Sequence, residues 1–267
     1  MYCCYGKNTR IFIPEKTIFN LSEILQKLKT LKKLAFPLRR TPFHPQWFGY
    51  RHNRDINTSI TKYSSGIVLD IGCGSGDQKK YLRHGCIYYG LDLPFTSINW
   101  YETKPDIYAS ADTLPVNDGS VSTALLFDVM EHLTAPEKCL TEIYRVLSPD
   151  GLLIIKIPFL YPIHDAPLDF TRWTEHGLIR LFDSYNFKII EAGKIGHPME
   201  TAALLLCIAI SKHTLNWFAD RSVFLLIGIL LCPMIPFINL GAWILSKISR
   251  NDPMMPHTYH YVLKKKV

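Results

Sequence analysis

Four residues at alternate positions, Asp70, Gly72, Gly74 and Gly76, end the apolar run Ile67-Val68-Leu69 and open a stretch, Asp77 to His84, predicted as helix. Glycines spaced this way let a backbone pass close to a ligand, since a Cβ at any of the three would occupy ligand space. A second carboxylate, Asp92, ends the next apolar run, Ile87 to Leu91, about twenty residues after the first glycine. A carboxylate there can accept both hydroxyls of a ribose. These features predict a site for a nucleoside-bearing cofactor. A dinucleotide fits less well, because G-x-G-x-x-G requires glycine at position 77, which is Asp77. Anionic side chains at 70 and 77 are poor neighbours for a pyrophosphate. They suit a ligand that carries an ammonium and a sulfonium.

The spacing Asp-x-Gly-x-Gly-x-Gly resembles motif I of the class I S-adenosylmethionine (SAM)-dependent methyltransferases of the type 11-like group. The likeness continues in order. Ser110 to Val116 followed by Asp118 to Val121 resembles the third acidic motif, and Ala124 to Leu133 resembles the strand-4 motif. Glu142 to Ile155 resembles the helix, Pro-x-Gly turn and strand 5 that follow, so the signals cover Ile67 to roughly Pro158. The resemblance implies SAM as cofactor. It implies that Gly72, Gly74 and Gly76 admit the methionine and ribose portion, and that Asp70 holds the amino group directly or through water. Asp92 would take the ribose hydroxyls, Asp112 with the backbone of Thr113 would read the adenine edge, and Asp128 would face the methyl group. For each of these acids, turn or helix capping is the alternative role.

The acceptor side is read from Pro158 to Thr174, which follows strand 5 and so lies over the carboxyl ends of the strands, where open α/β sheets bind ligands. This loop looks like that of methyltransferases associated with bacterial cell-surface polysaccharide gene sets. An imidazole at His164 could take a hydroxyl proton, with Asp165 or Asp169 orienting it and Arg172 clamping a phosphate or carboxylate. Asp128, His164 and Asp165 are therefore the catalytic candidates, and Tyr161, Asp169 and Arg172 the acceptor-binding ones. His132 is a second possible base, although Glu131-His132 also reads as a helix start that supports the pocket. Methyl transfer is an in-line displacement and requires alignment and water exclusion rather than a metal.

Apolar runs near 66–71, 87–92, 107–111, 122–128 and 151–157 alternate with helical stretches, which predicts a parallel sheet with helices on both faces. A helix near 175–185 and strands near 188–192 and 260–264 complete, by resemblance, a Rossmann-like seven-stranded sheet. The expected organisation is an N-terminal arm at 1–57, a methyltransferase core at 58–195, an apolar insertion at 196–256 and a last core strand at 257–267. Thr41 to Arg54, rich in aromatic residues, is expected to be a loop that covers a ligand.

Residues 1–40 hold nine Lys/Arg and two Asp/Glu, so the whole net charge of +7 sits in the arm and the remainder is neutral. Within the arm, Asn20 to Glu23 resembles a capping box, and Leu21, Ile24, Leu25, Leu28, Leu31 and Leu34 repeat at helical spacing beside lysines. Val223 to Ser246 contains no charged side chain and is long enough to cross a bilayer, but Pro233 and Pro236 interrupt it. The run before it, Ala202 to Ile210, is too short to span, and a last strand that returns to the sheet forbids an odd number of crossings. A helix-break-helix hairpin dipping into one leaflet is therefore expected, with a buried hairpin or a homodimer interface as the soluble alternative. Seven cysteines without metal-ligand spacing read as reduced thiols, and no secretory signal is visible. These readings predict a cytoplasmic enzyme, peripheral or monotopic on the membrane, that methylates an amphiphilic or lipid-linked acceptor. The rival is a membrane-attached scaffold with the same fold. The sequence after strand 4, Phe127-Asp128-Val129-Met130, lacks an Asn-Pro-Pro-Tyr motif and so argues against a nucleic-acid substrate.

Overall fold

The computed structural model describes residues 36–250, 252 and 254–266, so the amphipathic helix expected after Asn20 lies outside the described residues. Two helices, α1 (Trp47–Arg51) and α2 (Asn53–Tyr63), precede strands β1 (Ile67–Ile71), β2 (Ile87–Asp92), β3 (Ile107–Tyr108) and β4 (Val121–Phe127). Helix α3 (Pro136–Val146), β5 (Leu147–Pro158), α4 (Glu175–Ser184) and β6 (Phe187–Ile195) follow. Three further helices, α5 (Pro198–Ala219), α6 (Leu225–Leu231) and α7 (Ile235–Ile248), lead to the last strand, β7 (Thr258–Lys265). The strands form one seven-stranded sheet in the order β3-β2-β1-β4-β5-β7-β6, with β7 antiparallel to both neighbours. This is the mostly parallel Rossmann-like sheet the sequence predicts.

Both faces of the sheet are covered, as near-continuous apolar strands demand. Successive strand residues point to opposite faces, which divides the core in two. Leu69, Ile71, Ala124 and Leu126 meet Leu140 and Ile143 of α3 and Leu178 and Phe182 of α4. Val68, Leu125 and Ile154 meet Ile56 and Ile60, one turn apart on α2. Each fully buried side chain of this kind contributes about 1.5–3 kcal/mol.

Two local expectations are corrected. Asp77 to His84 is not a helix; Asp77–Tyr81 makes one 3₁₀ turn and Leu82 is already extended. The crossover between parallel β1 and β2 must return the length of β1, and after the glycine turn few residues remain for regular helix. Thr41 to Arg54 is half helix rather than all loop: turns run from Thr41 to Gln46, α1 occupies Trp47–Arg51 and α2 begins at Asn53.

The insertion is a helical hairpin before the last strand, but its fold-back lies elsewhere than expected. The run read as Ala202 to Ile210 is part of a helix of 22 residues, Pro198–Ala219, and Leu225–Ile248 runs on as a helix of 24 residues. Pro233 and Pro236 sit in first turns, where a missing N–H removes no helical hydrogen bond, so they tighten the helix without reversing it. The chain turns back at Asp220–Phe224, where Arg221 takes a φ of 52°. By length and composition both helices could cross a membrane, a property that core helices of soluble proteins share. The hairpin base is tied to the core. Buried Glu200 accepts from Ser246 Oγ at 2.9 Å and lies 2.7 Å from His52 Nε2, while Asn239 Nδ2 donates to the Pro42 carbonyl at 2.7 Å.

Candidate active site

The loops after β1, β2, β4 and β5 converge at the carboxyl ends of the strands, on both sides of the point where strand order reverses between β1 and β4. They enclose a cavity of about 530 Å³, within the range of small-molecule sites. Gly72, Gly74 and Asp92 line one end, Asp128, Glu131, His132, His164 and Asp165 the other, and Gln46, Tyr50 and Asn57 from the α1–α2 region close over it. The aromatic segment expected to cover a ligand lies over this cavity, in part as helix.

The glycine turn is held by backbone geometry. Gly72, Gly74 and Gly76 have φ of 71°, 52° and 68°, a region that L side chains rarely adopt. A Cβ on Gly72 would meet Val129 Cγ2 at 2.3 Å, and one on Gly74 would press on the Tyr101 ring at 3.3 Å. The turn therefore excludes side chains because of its protein neighbours, where the sequence reading placed ligand. Asp92, at the end of β2, accepts from Gly74 N at 2.8 Å with one oxygen, and from Leu93 N at 2.7 Å and Thr96 Oγ1 with the other. It fixes the turn against β2 as a cap, and one side of a carboxylate with about four acceptor sites remains for a hydroxyl. Asp70 lies beneath the turn, 2% exposed, and accepts from Tyr88 Oη at 2.7 Å. Burial, and secondarily Asp92, push its carboxyl up to about 7, while the Tyr88 bond opposes them.

Some expected residues are set back from the cavity. Asp112 and Thr113 stand one step beyond the wall, which is formed here by Ala109, Ser110 and Ala111. Arg172 does not reach the cavity either: its fork is spent on Asp169, with Nη2 at 2.7 Å from Oδ2. Burial raises the Asp169 carboxyl, but the Arg172 bonds outweigh it and hold it at about 2. Of the two candidates to orient His164, Asp169 is the one in contact, accepting from its backbone N at 3.0 Å and lying 3.2 Å from its Nδ1. Asp165, at a φ of 52°, lines the cavity separately.

Asp128 follows β4 directly, with a φ of 54°, and accepts from Lys156 Nζ at 2.6 Å. Tyr161 closes the acceptor end, its hydroxyl accepting from Gln46 Nε2 at 2.8 Å, and burial pushes it up to about 12. Tyr101 bridges the two ends. Its hydroxyl is pushed up first by burial and then by Asp165, Asp92 and Asp128, a convergence of negative charge on the middle of the cavity. Such a wall fits a cationic sulfur donor better than a phosphate. The sequence reading missed Glu131 as a site residue: it is fully buried, and burial with Asp128 nearby raises its carboxyl to about 8. A carboxylate beside His132, four residues from the strand end, was the available signal.

Residues 69–155 match the family described as methyltransferase domain. A methyltransferase of Mycobacterium sp., otherwise uncharacterized, is 27% identical over 175 residues, 62% of this chain and 66% of that protein. A ubiquinone/menaquinone biosynthesis C-methyltransferase of Ruegeria sp. is 29% identical over 136 residues, 46% of this chain and 50% of that one. The chain spans 39% to 66% of the length of three curated relatives it matches. Among solved structures, a chain of the Haloferax volcanii complex between the Trm112 methyltransferase activator and a methyltransferase has the same fold, with a TM-score of 0.52 at 18% identity over 84% of this chain and 93% of that one. The matched segment gives residues 69–155 a methyltransferase domain, the sheet around it has the fold of the solved methyltransferase chain, and the likeness supports SAM as its cofactor.

Proposed function

We propose that the chain moves a methyl group from SAM to an amphiphilic or lipid-linked acceptor, a glycan hydroxyl or a quinone or phenolic lipid, at a membrane surface. The observation that carries this reading is one cavity with the glycine turn and Asp92 at one end and two histidines at the other, its lid joined to the apolar hairpin. SAM supplies a methyl already activated by positive sulfur. The protein's part is to bind, align, exclude water and take a proton. Asp70 and Asp92 favour the cationic donor, and Asp128 faces the methyl group from the acceptor end. His164, backed by Asp169, is the base for an acceptor hydroxyl. Tyr161 and Tyr50 present apolar rings to an aromatic or alkyl acceptor. Similarity to a quinone-biosynthesis methyltransferase supports the lipid-like acceptor.

The hairpin supports membrane attachment from one side. Leu226, Ile229, Leu230, Phe237 and Ile248 of α6 and α7 are exposed, an apolar face that no other described residue covers. The far half of α5 instead exposes Lys212, His213, Asn216 and Asp220. One apolar flank with a polar back suits lying in the headgroup boundary better than crossing it.

Membranes incubated with the chain and methyl-labelled SAM should give label in the lipid-extractable fraction. Label confined to protein or to water-soluble products would defeat the acceptor reading. Leu230→Lys with Phe237→Lys should abolish flotation with anionic vesicles while SAM still binds; unchanged flotation would defeat the attachment.

A further inference from the structure

We propose that Glu131, His132 and His164 form a binding site for one divalent transition-metal ion at the acceptor end of the cavity. The inference rests on the geometry of three side chains and stands apart from the identity of the acceptor. One donor atom from each of the three lies within 4.8 Å of the others. The Nε2 atoms of His132 and His164 each stand 3.8 Å from Glu131 Oε1. That is too far for a hydrogen bond and close enough for an ion at the centre to draw the three together: bonds of about 2.1 Å place neighbouring donors roughly 3 to 3.5 Å apart.

The histidines are oriented as metal ligands. His132 Nδ1 lies 2.8 Å from the Leu168 carbonyl oxygen, so the proton sits on Nδ1 and the Nε2 lone pair turns towards Glu131. His164 Nδ1 faces two acceptors, Asp169 Oδ2 at 3.2 Å and the Pro162 carbonyl at 3.3 Å. Its other neighbour, Arg172 Nη2 at 3.4 Å, gives its hydrogen to Asp169 at 2.7 Å. Both rings therefore donate from Nδ1 to a fixed oxygen and present a lone pair from Nε2, the hydrogen-bonding pattern of metal-bound histidine.

Glu131 gives the independent sign. It is fully buried, and neither carboxyl oxygen has a hydrogen-bond partner among the described residues. A buried carboxyl left unpaired is costly, more so when it is charged, and an ion among the three side chains removes that cost. The arrangement is also clamped: Phe170 N donates to the Glu131 carbonyl at 2.8 Å, fastening the His164 loop over the β4 end. Two imidazoles and one carboxylate suit zinc, iron, cobalt or manganese, and three protein ligands leave coordination positions open. Those positions face the cavity, where a bound ion would act as a Lewis acid on an acceptor oxygen; because the ion takes the Nε2 lone pair, His164 serves as the base only in the ion-free site.

The test is titration of the metal-stripped full chain with Co²⁺ and Mn²⁺, read by absorption, electron paramagnetic resonance and calorimetry without SAM. One ion per chain should bind in the micromolar range. His132→Ala and His164→Ala should each weaken it about 100-fold, and Glu131→Gln should do at least as much. SAM binding by the same variants reports whether they are folded, and if Glu131→Gln does not fold the histidine variants decide. No saturable binding up to millimolar ion would overturn the proposal. So would equal affinity in the double histidine variant, which would put the ion elsewhere. Neither result touches SAM binding, so the methyltransferase reading stands or falls separately.

Discussion

The two ends of the cavity are built by different means. The donor end is assembled within about twenty residues by backbone: a turn of left-handed glycines whose Gly74 N–H meets Asp92 at 2.8 Å. The acceptor end joins side chains that are distant in sequence, through the β4–β5 pairing that sets Phe127 opposite Lys156 and the bond from Phe170 to Glu131. A backbone-built end tolerates no added atom but depends little on any one charge. A side-chain-built end has room for substitution of shape, yet Asp128 and Asp169 each hold an assigned partner, Lys156 and Arg172. Steric changes should therefore dominate at one end and charge changes at the other.

The largest effect is expected from Gly72→Ala. Its backbone at φ of 71° costs a non-glycine residue about 1–2 kcal/mol, and the new Cβ would stand 2.3 Å from Val129. Val129 follows Asp128, so relief of the clash moves the β4 end as well. SAM affinity measured by calorimetry should fall by about 100-fold or more, the sum of roughly 3 kcal/mol of strain and displacement. Affinity within threefold of the parent would show that the turn yields freely and that the donor end is not built as described.

Asp169→Asn probes the other end and should be milder. It keeps the shape but removes the charge that holds Arg172 and the His164 Nδ1 proton. A loss of about 2 kcal/mol in positioning corresponds to roughly 30-fold in turnover, with the SAM Kd unchanged. Asp165→Asn, which removes a charge that lines the cavity without touching His164, should cost less. Equal losses for the two variants would erase the distinction between orienting and lining acids.

The same contrast explains what could be read in advance. Asp70 to Gly76 and Asp92 are legible because strand period, glycine spacing and a fixed interval dictate them locally. The parallel sheet follows from alternation of apolar runs with helical stretches and its closing strands from the family resemblance, whereas the strand order β3-β2-β1-β4-β5-β7-β6 was not read. Which of Asp165 and Asp169 would face His164 was open, because a loop's side-chain directions depend on contacts such as the Arg172 fork. Glu131 was hidden because adjacency to His132 says nothing of a third ligand 32 residues later, across a strand pair. Asp112 falls short of the wall because β3 is only two residues long and the chain bends after Tyr108. The hairpin's fold-back was misplaced at its prolines because a first-turn proline and a helix-breaking one look alike in sequence.

Tyr88→Phe gives the smallest effect and tests whether Asp70 meets the donor's charge. Burial raises the Asp70 carboxyl to about 7, and the Tyr88 hydroxyl works against that rise by donating to it. Because its folded pKa lies above the unfolded one, Asp70 supports the unliganded fold fully below about pH 4 and loses that contribution as pH climbs through about 7. Binding of a cationic donor runs the opposite way, since it favours the ionised carboxylate. SAM affinity should therefore rise between pH 6 and 8 and then level off. Removing the Tyr88 hydroxyl deprives the carboxylate of a bond worth about 1.5 kcal/mol, which moves the midpoint up by roughly one pH unit. At pH 7 the affinity should drop about fivefold and recover above pH 8.5. A pH profile identical to that of the parent would separate Asp70 from the donor's ammonium and leave Asp92 and the turn to hold it.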